Sequence, residues 1–204
     1  MPDRVSVAIL AGGQSSRMGE NKALVTIGGL PLINRVISRV SSLSEDLFIV
    51  ADAVEVYAHL GLPVYPDLIP GKGPLGGLYT AINHAQGGDV LVVSCDQPFL
   101  NTSLLRYLLD LRAGYDVVVP LNRENYPQSM HAVYGKRCAA PIRQDINADR
   151  LKVIGFFPAV RVRQVAGAEI DRFDPHRYSF MNVNTPHDLT LAQQLAITLD
   201  DLSG

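Results

Sequence analysis

Two glycines and two cations stand close together near the start of the chain, in Ala11-Gly-Gly-Gln-Ser-Ser-Arg-Met-Gly-Glu-Asn-Lys22. Gly12 and Gly13 let the backbone turn its N–H groups toward a ligand with no side chain in the way. Arg17 and Lys22, a few residues on, suit the charge of a di- or triphosphate. The spacing is not that of a Walker loop, which needs Gly, four residues, then Gly-Lys-Ser/Thr. Here six residues separate Gly12 from Gly19, and the lysine comes three later. Spacing alone leaves open a glycine-rich turn with surface Arg and Lys.

Carboxylates and carboxamides recur downstream. Asp96 follows the apolar run Asp89-Val-Leu-Val-Val-Ser94. Mg²⁺ takes one or two carboxylates and completes its octahedron with water and substrate phosphates, so one well-placed Asp opposite a triphosphate suffices. Asp52 closes a second apolar run, Leu47–Ala51, and Asp67 lies in a Pro- and Gly-rich stretch. Both residues also read as turn formers. Asn182 and Asn184, two apart in Phe180-Met-Asn-Val-Asn184, point to the same side of an extended segment. Their uncharged donors and acceptors serve beside phosphates or a metal's water shell. No Ser-His-Asp or Cys-His arrangement is evident, and Cys95 reads as core filler.

The elements that position these residues follow a βαβ rhythm. Val5–Leu10 reads as a buried strand that stops at the glycine loop. Pro31 opens a helix carrying Leu32, Ile33, Val36, Ile37 and Val40 at helical spacing. Strand Leu47–Ala51, short helix Ala53–Leu60 and short strand Val64-Tyr65 come next. Residues 66–77 read as a flexible loop leading into a helix over Leu78–Gln86. Gly71, Gly73 and Gly76 spell GxGxxG, but the prolines at 66, 70 and 74 and the lack of a convincing feeding strand reject a dinucleotide fingerprint. The clearest central strand is Asp89–Ser94. Then come an Asn101-capped leucine helix, strand Asp116–Pro120, a polar loop and strand His131–Tyr134. Val160–Val165 alternates, which predicts a half-exposed strand with its arginines in water. Thr185-Pro186 caps the final helix. Such order predicts a mostly parallel sheet with ligands at the carboxyl ends of its strands, where Asp52 and Asp96 fall.

At 204 residues the chain suits one α/β domain over 1–204. A net charge of −2 argues against bulk nucleic-acid binding. Between Lys136 and Arg163 seven Lys or Arg face only Asp145 and Asp149, an excess that reads either as solvated helix faces or as steering for a polyanion. Two distant cysteines make neither a disulfide framework nor a zinc site. No apolar run reaches the length of a membrane span, and the start of the chain is wrongly built for a signal peptide. A cytoplasmic protein without membrane contact is expected.

Leu10-Ala-Gly-Gly-x-Ser-x-Arg-Met-Gly-x-x-Lys-Ala-Leu24 resembles the signature of nucleotidyltransferases with a Rossmann-like core. It is most similar to the molybdenum cofactor guanylyltransferase (MobA) family. Gly73-Pro-Leu-Gly-Gly77, Cys95-Asp-Gln-Pro-Phe99 and Asn182-Val-Asn-Thr-Pro186 follow in the family's order. The resemblance implies a three-layer α/β/α fold of the nucleotide-diphospho-sugar transferase type. It implies transfer of GMP from GTP to the phosphate of Mo-molybdopterin with Mg²⁺ as cofactor. By the same resemblance Leu10, Ala11, Gly12, Gly13, Asp52 and Asp67 contact the nucleotide, and Arg17 and Lys22 balance its phosphates. Asp96 carries the metal, and Asn182 and Asn184 orient the incoming phosphate. A molybdenum-insertion protein or an acceptor molybdoenzyme is a candidate partner. Two departures stand out: Asp52 where the family usually has Asn, and Asn21 where members often have Asp. A cytidylyltransferase of the same pterin, a sugar-phosphate nucleotidyltransferase and a non-catalytic nucleotide-binding adaptor are the alternatives. Leu-Ala-Gly-Gly, rather than the Leu-Ala-Ala-Gly of cytidylyl relatives, favours guanine.

Overall fold

The computed structural model describes residues 4–12 and 22–201. Its central strand is β1 (Val5–Leu10), in which Val7, Ala8 and Ile9 are fully buried. An apolar run without alternation needs cover on both faces, and parallel sheets provide it. A small hairpin of β2 (Thr26–Ile27) and β3 (Leu30–Pro31) follows. Pro31, with its extended backbone, then sits just outside helix α1 (Leu32–Val40), which buries Leu32, Ile33, Val36 and Val40 as its periodicity predicts. Strand β4 (Asp46–Val50) starts and stops one residue earlier than expected. The expected helix over 53–60 is one α-turn, α2 (Val54–Tyr57), running into a 3₁₀ turn that Gly61 ends.

After edge strand β5 (Val64–Tyr65) comes the clearest departure from expectation. Helix α3 spans Gly73–His84, so it begins five residues before the predicted start. Pro74 lies in its first turn, where a missing N–H costs nothing. Gly76 and Gly77 are packing residues of the helix and not loop residues. A Cβ on Gly77 would touch Leu10 Cδ1 at 3.4 Å, and one on Gly76 would meet the Ile69 carbonyl at 3.3 Å. The preceding 67–72 loop crowds the Gly76 position, whereas a Cβ on Gly77 would make an ordinary contact with Leu10.

The rest of the chain completes the layers. Strand β6 (Asp89–Ser94) pairs with β1 along its whole length. Helix α4 (Thr102–Asp110) is capped by Asn101, whose side chain accepts from the Leu104 N–H at 2.9 Å. Strands β7 (Val117–Pro120) and β8 (His131–Gly135) are antiparallel to each other, and helix α5 (Ala139–Asn147) follows. Strand β9 (Val162–Val165), the short helix α6 (Ala168–Asp171) and helix α7 (Pro186–Asp201) finish the chain. The seven-stranded order is β5-β4-β1-β6-β8-β7-β9, parallel except where β8 pairs with β6 and β7.

Apolar residues of α1 and α4 cover one face of the sheet, and those of α3 and α5 cover the other. Helix α7 docks on the hairpin and the start of α1 through Ile27, Leu32, Ala192 and Ala196. The fold is therefore α/β in three layers, as expected. The arginines near β9 are paired as well as wetted: Arg161 holds Asp116 at 3.1 Å, and Arg163 holds Glu169 at 2.5 Å. Among the described residues, no helix is long and apolar enough to cross a membrane.

Candidate active site

The strand ends at Leu10, Val50 and Ser94 open onto a cleft of about 680 Å³. Its floor is the exit of β1, fixed on both sides. The Ala11 N–H donates to the Val50 carbonyl at 2.9 Å, and the Cys95 N–H donates to the Leu10 carbonyl at 3.0 Å. Buried Tyr57 adds its hydroxyl, which donates to the Ala11 carbonyl at 3.2 Å. Leu10, Ala11 and Gly12 thus line the cleft along a backbone that neighbouring strands hold in place. Gly13 and Arg17 lie outside the described residues, as does the side chain of Lys22. The Lys22 backbone begins a 3₁₀ turn over Lys22–Leu24.

Two carboxylates enter from the β4 and β5 side. Asp52 is exposed, and its Oδ1 accepts from the Asp67 N–H at 3.2 Å. Burial pushes the Asp67 carboxyl above the usual carboxylate range, the Asp52 charge adds to that, and a hydrogen bond from Thr80 opposes it. Thr80, on α3 and fully buried, is a residue that sequence reasoning missed. Its Oγ1 accepts from the Leu68 N–H at 3.0 Å and lies 3.0 Å from the Gly76 carbonyl and 3.4 Å from Asp67 Oδ1. One hydroxyl therefore ties the Asp67–Leu68 loop to the start of α3. Thr80→Val keeps the shape and removes that tie. The expected result is about tenfold weaker nucleotide binding, the scale of a buried N–H left without its acceptor, with Thr80→Ser restoring it. Titration calorimetry of the two variants checks this, and equal affinity in Val and wild type would refute it.

The third carboxylate is Asp96, half-buried just beyond β6. The Ser94 hydroxyl donates to its Oδ1 at 2.6 Å. Its carbonyl accepts from the Val183 N–H at 2.9 Å, which pins the Asn182–Asn184 segment beside it. Asn182 lines the cleft. Asn184 is not among the lining residues; its backbone N–H donates to Asp188 at 2.9 Å. Thr185 and Asp188 exchange hydrogen bonds as a capping box at the start of α7, which fixes where that segment ends. Gly71, Gly73 and Pro74 close the cleft from the α3 side. The GxGxxG spacing does not mark a dinucleotide unit. Its feeding strand β5 is two residues long at the sheet edge, three positions from the strand that carries Asp96.

Among the described residues the lining holds three carboxylates and no Lys or Arg. No group of three or more His, Cys, Asp or Glu that could hold a metal occurs among them either. Of the lining carboxylates, half-buried Asp96 could hold a cation whose other ligands come from water and substrate. Among the described residues, neither cysteine suits covalent catalysis. Both are buried and outside any disulfide, and burial pushes Cys138 up to about 12. His131, fully buried beside the Phe180 ring, is held neutral by burial, its value lowered to about 3.

Residues 7–156 match the family model of the MobA-like NTP transferase domain. The chain belongs to that family. A probable molybdenum cofactor guanylyltransferase of Pelotomaculum thermopropionicum is 40% identical over 188 residues, covering 92% of this chain and 91% of that one. One of Carboxydothermus hydrogenoformans is 35% identical over 184 residues, covering 90% and 92%. Among solved structures, molybdopterin-guanine dinucleotide biosynthesis protein A from Archaeoglobus fulgidus superposes with a TM-score of 0.83 at 27% identity, covering 95% of this chain and 99% of that one. MobA-like NTP transferases are nucleotidyltransferases that typically use a divalent metal ion. The matched span includes Leu10, Gly12, Asp52, Asp67 and Asp96. Asn182 lies beyond it in sequence yet faces the same cleft.

Proposed function

We propose that this chain transfers GMP from GTP to the phosphate of Mo-molybdopterin, giving the guanine dinucleotide and pyrophosphate. The observation that carries the reading is convergence. Leu10–Gly12, Asp67, Asp96 and Asn182, drawn from four separate stretches of sequence, line one cleft in a chain whose relatives are named guanylyltransferases. A pterin phosphate oxygen attacks the α-phosphorus of GTP, the bond to the β-phosphate oxygen breaks, and pyrophosphate leaves with that electron pair. A phosphate monoester is already anionic near neutral pH, so no enzymic base is needed. This agrees with the buried, neutral state of His131.

Positioning and charge neutralisation then supply the rate. The backbone of Leu10–Gly13 holds the nucleotide, with Asp67 and Asp52 at its base or sugar. Arg17 and Lys22 balance the β- and γ-phosphates and the departing pyrophosphate. An acidic lining makes those cations necessary, since a triphosphate would otherwise meet three carboxylates. Asp96 holds Mg²⁺, oriented by Ser94, and the ion when bound supplies charge neutralisation across the phosphates. Asn182 and Asn184 orient the incoming phosphate. Purified protein given Mo-molybdopterin, Mg²⁺ and one nucleotide at a time should release pyrophosphate with GTP at least about tenfold faster than with CTP, ATP or UTP. A preference for CTP would move the chain to the cytidylyl branch, and no release with any nucleotide would leave a binding protein.

A further inference from the structure

A second cavity, of about 450 Å³, opens at the opposite end of the sheet. Asp89, which begins β6, lies in it, whereas Ser94 and Asp96 at the other end of that strand line the cleft. At about 3.3 Å per residue the two are roughly 20 Å apart. Four cations line the cavity, Arg112, Lys136, Arg137 and Arg161, against two carboxylates, Asp89 and Asp116. Both carboxylates are already engaged. Asp116 accepts from Arg161 through Nε at 3.1 Å, Nη2 at 3.2 Å and the backbone N–H at 2.9 Å, which holds it below the usual carboxylate range. Asp89 faces Arg112 at 3.4 Å.

Lys136 and Arg137 are exposed, and their side chains make no hydrogen bond or salt bridge with another described residue. They also stand where helix electrostatics disfavours them. They open the helical stretch that continues as α5, which has no acidic residue in its first turn. Positive side chains at the positive end of a helix repel it, and an anion between them would reverse the sign of that interaction. The excess of two positive charges, in a concavity of small-ligand size, matches one diphosphate group. An ammonium and a guanidinium fork are the side chains that bind such groups.

We propose that this cavity is a second anion site, which takes a diphosphate either free or carried on a nucleotide whose ring would rest on exposed Tyr115. The proposal does not depend on how the cleft is read. The probes are inorganic pyrophosphate and ADP, titrated calorimetrically into the full chain without divalent metal. Lys136→Ala/Arg137→Ala is compared with Arg39→Ala/Arg106→Ala, which removes equal charge from exposed positions outside the cavity. The cavity pair should weaken pyrophosphate at one site by about tenfold or more, and the control pair by under threefold. An added loss for ADP alone in Tyr115→Ala would identify a nucleotide as the ligand, and no added loss would identify the free anion. Identical isotherms for wild type and the cavity pair, or equal losses in both pairs, would overturn the site.

Discussion

Asp96→Asn is expected to cut metal-dependent turnover by at least about a hundredfold, while thermal unfolding stays within a few degrees of wild type. The substitution is nearly isosteric, and its carboxamide oxygen can still accept from the Ser94 hydroxyl that now meets Oδ1 at 2.6 Å. The Val183 N–H bonds to the main chain of residue 96, so the Asn182 segment stays in place. What disappears is the negative charge, and with it the grip on a divalent cation. Turnover measured against Mg²⁺ concentration checks the expectation. An unchanged Mg²⁺ dependence would remove Asp96 from the metal's coordination.

The largest expected effect on stability lies far from the cleft. A Cβ on Gly87 would stand 1.6 Å from the Arg4 carbonyl oxygen and 2.5 Å from its carbon, both main-chain atoms with no rotamer to change. The surrounding turn is anchored as well. The Gly87 N–H donates to buried Ser6 Oγ at 3.2 Å, and the Gln86 N–H donates to Asp46 Oδ2 at 3.1 Å. This corner joins the end of α3 to the starts of β1 and β4, so moving it disturbs the sheet's central strands. Gly87→Ala should cost about 3 kcal/mol or more, a fall of roughly 6–12 °C in Tm for a chain of this size. Gly88→Ala is the control, because nothing lies within 4 Å of a Cβ there. Equal melting temperatures for the two variants would show that the corner yields without strain.

Much of this architecture was legible because it rests on period and punctuation. The unbroken apolar runs at Val5–Leu10 and Asp89–Ser94 are the two central strands, and Asn101 caps its helix as its type suggests. Glycine was the source of error. Gly76 and Gly77 have the composition of a loop, but both lie inside α3, and Gly76 is small where the helix meets the 67–72 loop. No local sequence property separates these two uses, since the difference lies in what sits across the interface.

Of the candidate site, Leu10, Ala11, Gly12, Asp52, Asp67, Asp96 and Asn182 share one cleft. Single sequence signals could not have assembled them. Asp67 reads alone as a turn residue, and only the resemblance and then the fold set it beside Asp52. Thr80 stayed hidden because a threonine in an apolar helix face carries no mark of the loop it ties down. The basic segment was legible only as an excess of charge. The fold divides it into arginines already paired and the Lys136–Arg137 pair at the far cavity.

The central claim is that the cleft at the ends of β1, β4 and β6 takes GTP with its metal at Asp96. A crystal structure of the protein with GTP and Mn²⁺, recorded at a wavelength where manganese scatters anomalously, tests it most directly. The anomalous peak should lie against the Asp96 carboxylate, with the triphosphate beside residues 10–13. A peak away from Asp96, or a nucleotide seated elsewhere on the molecule, would contradict the account.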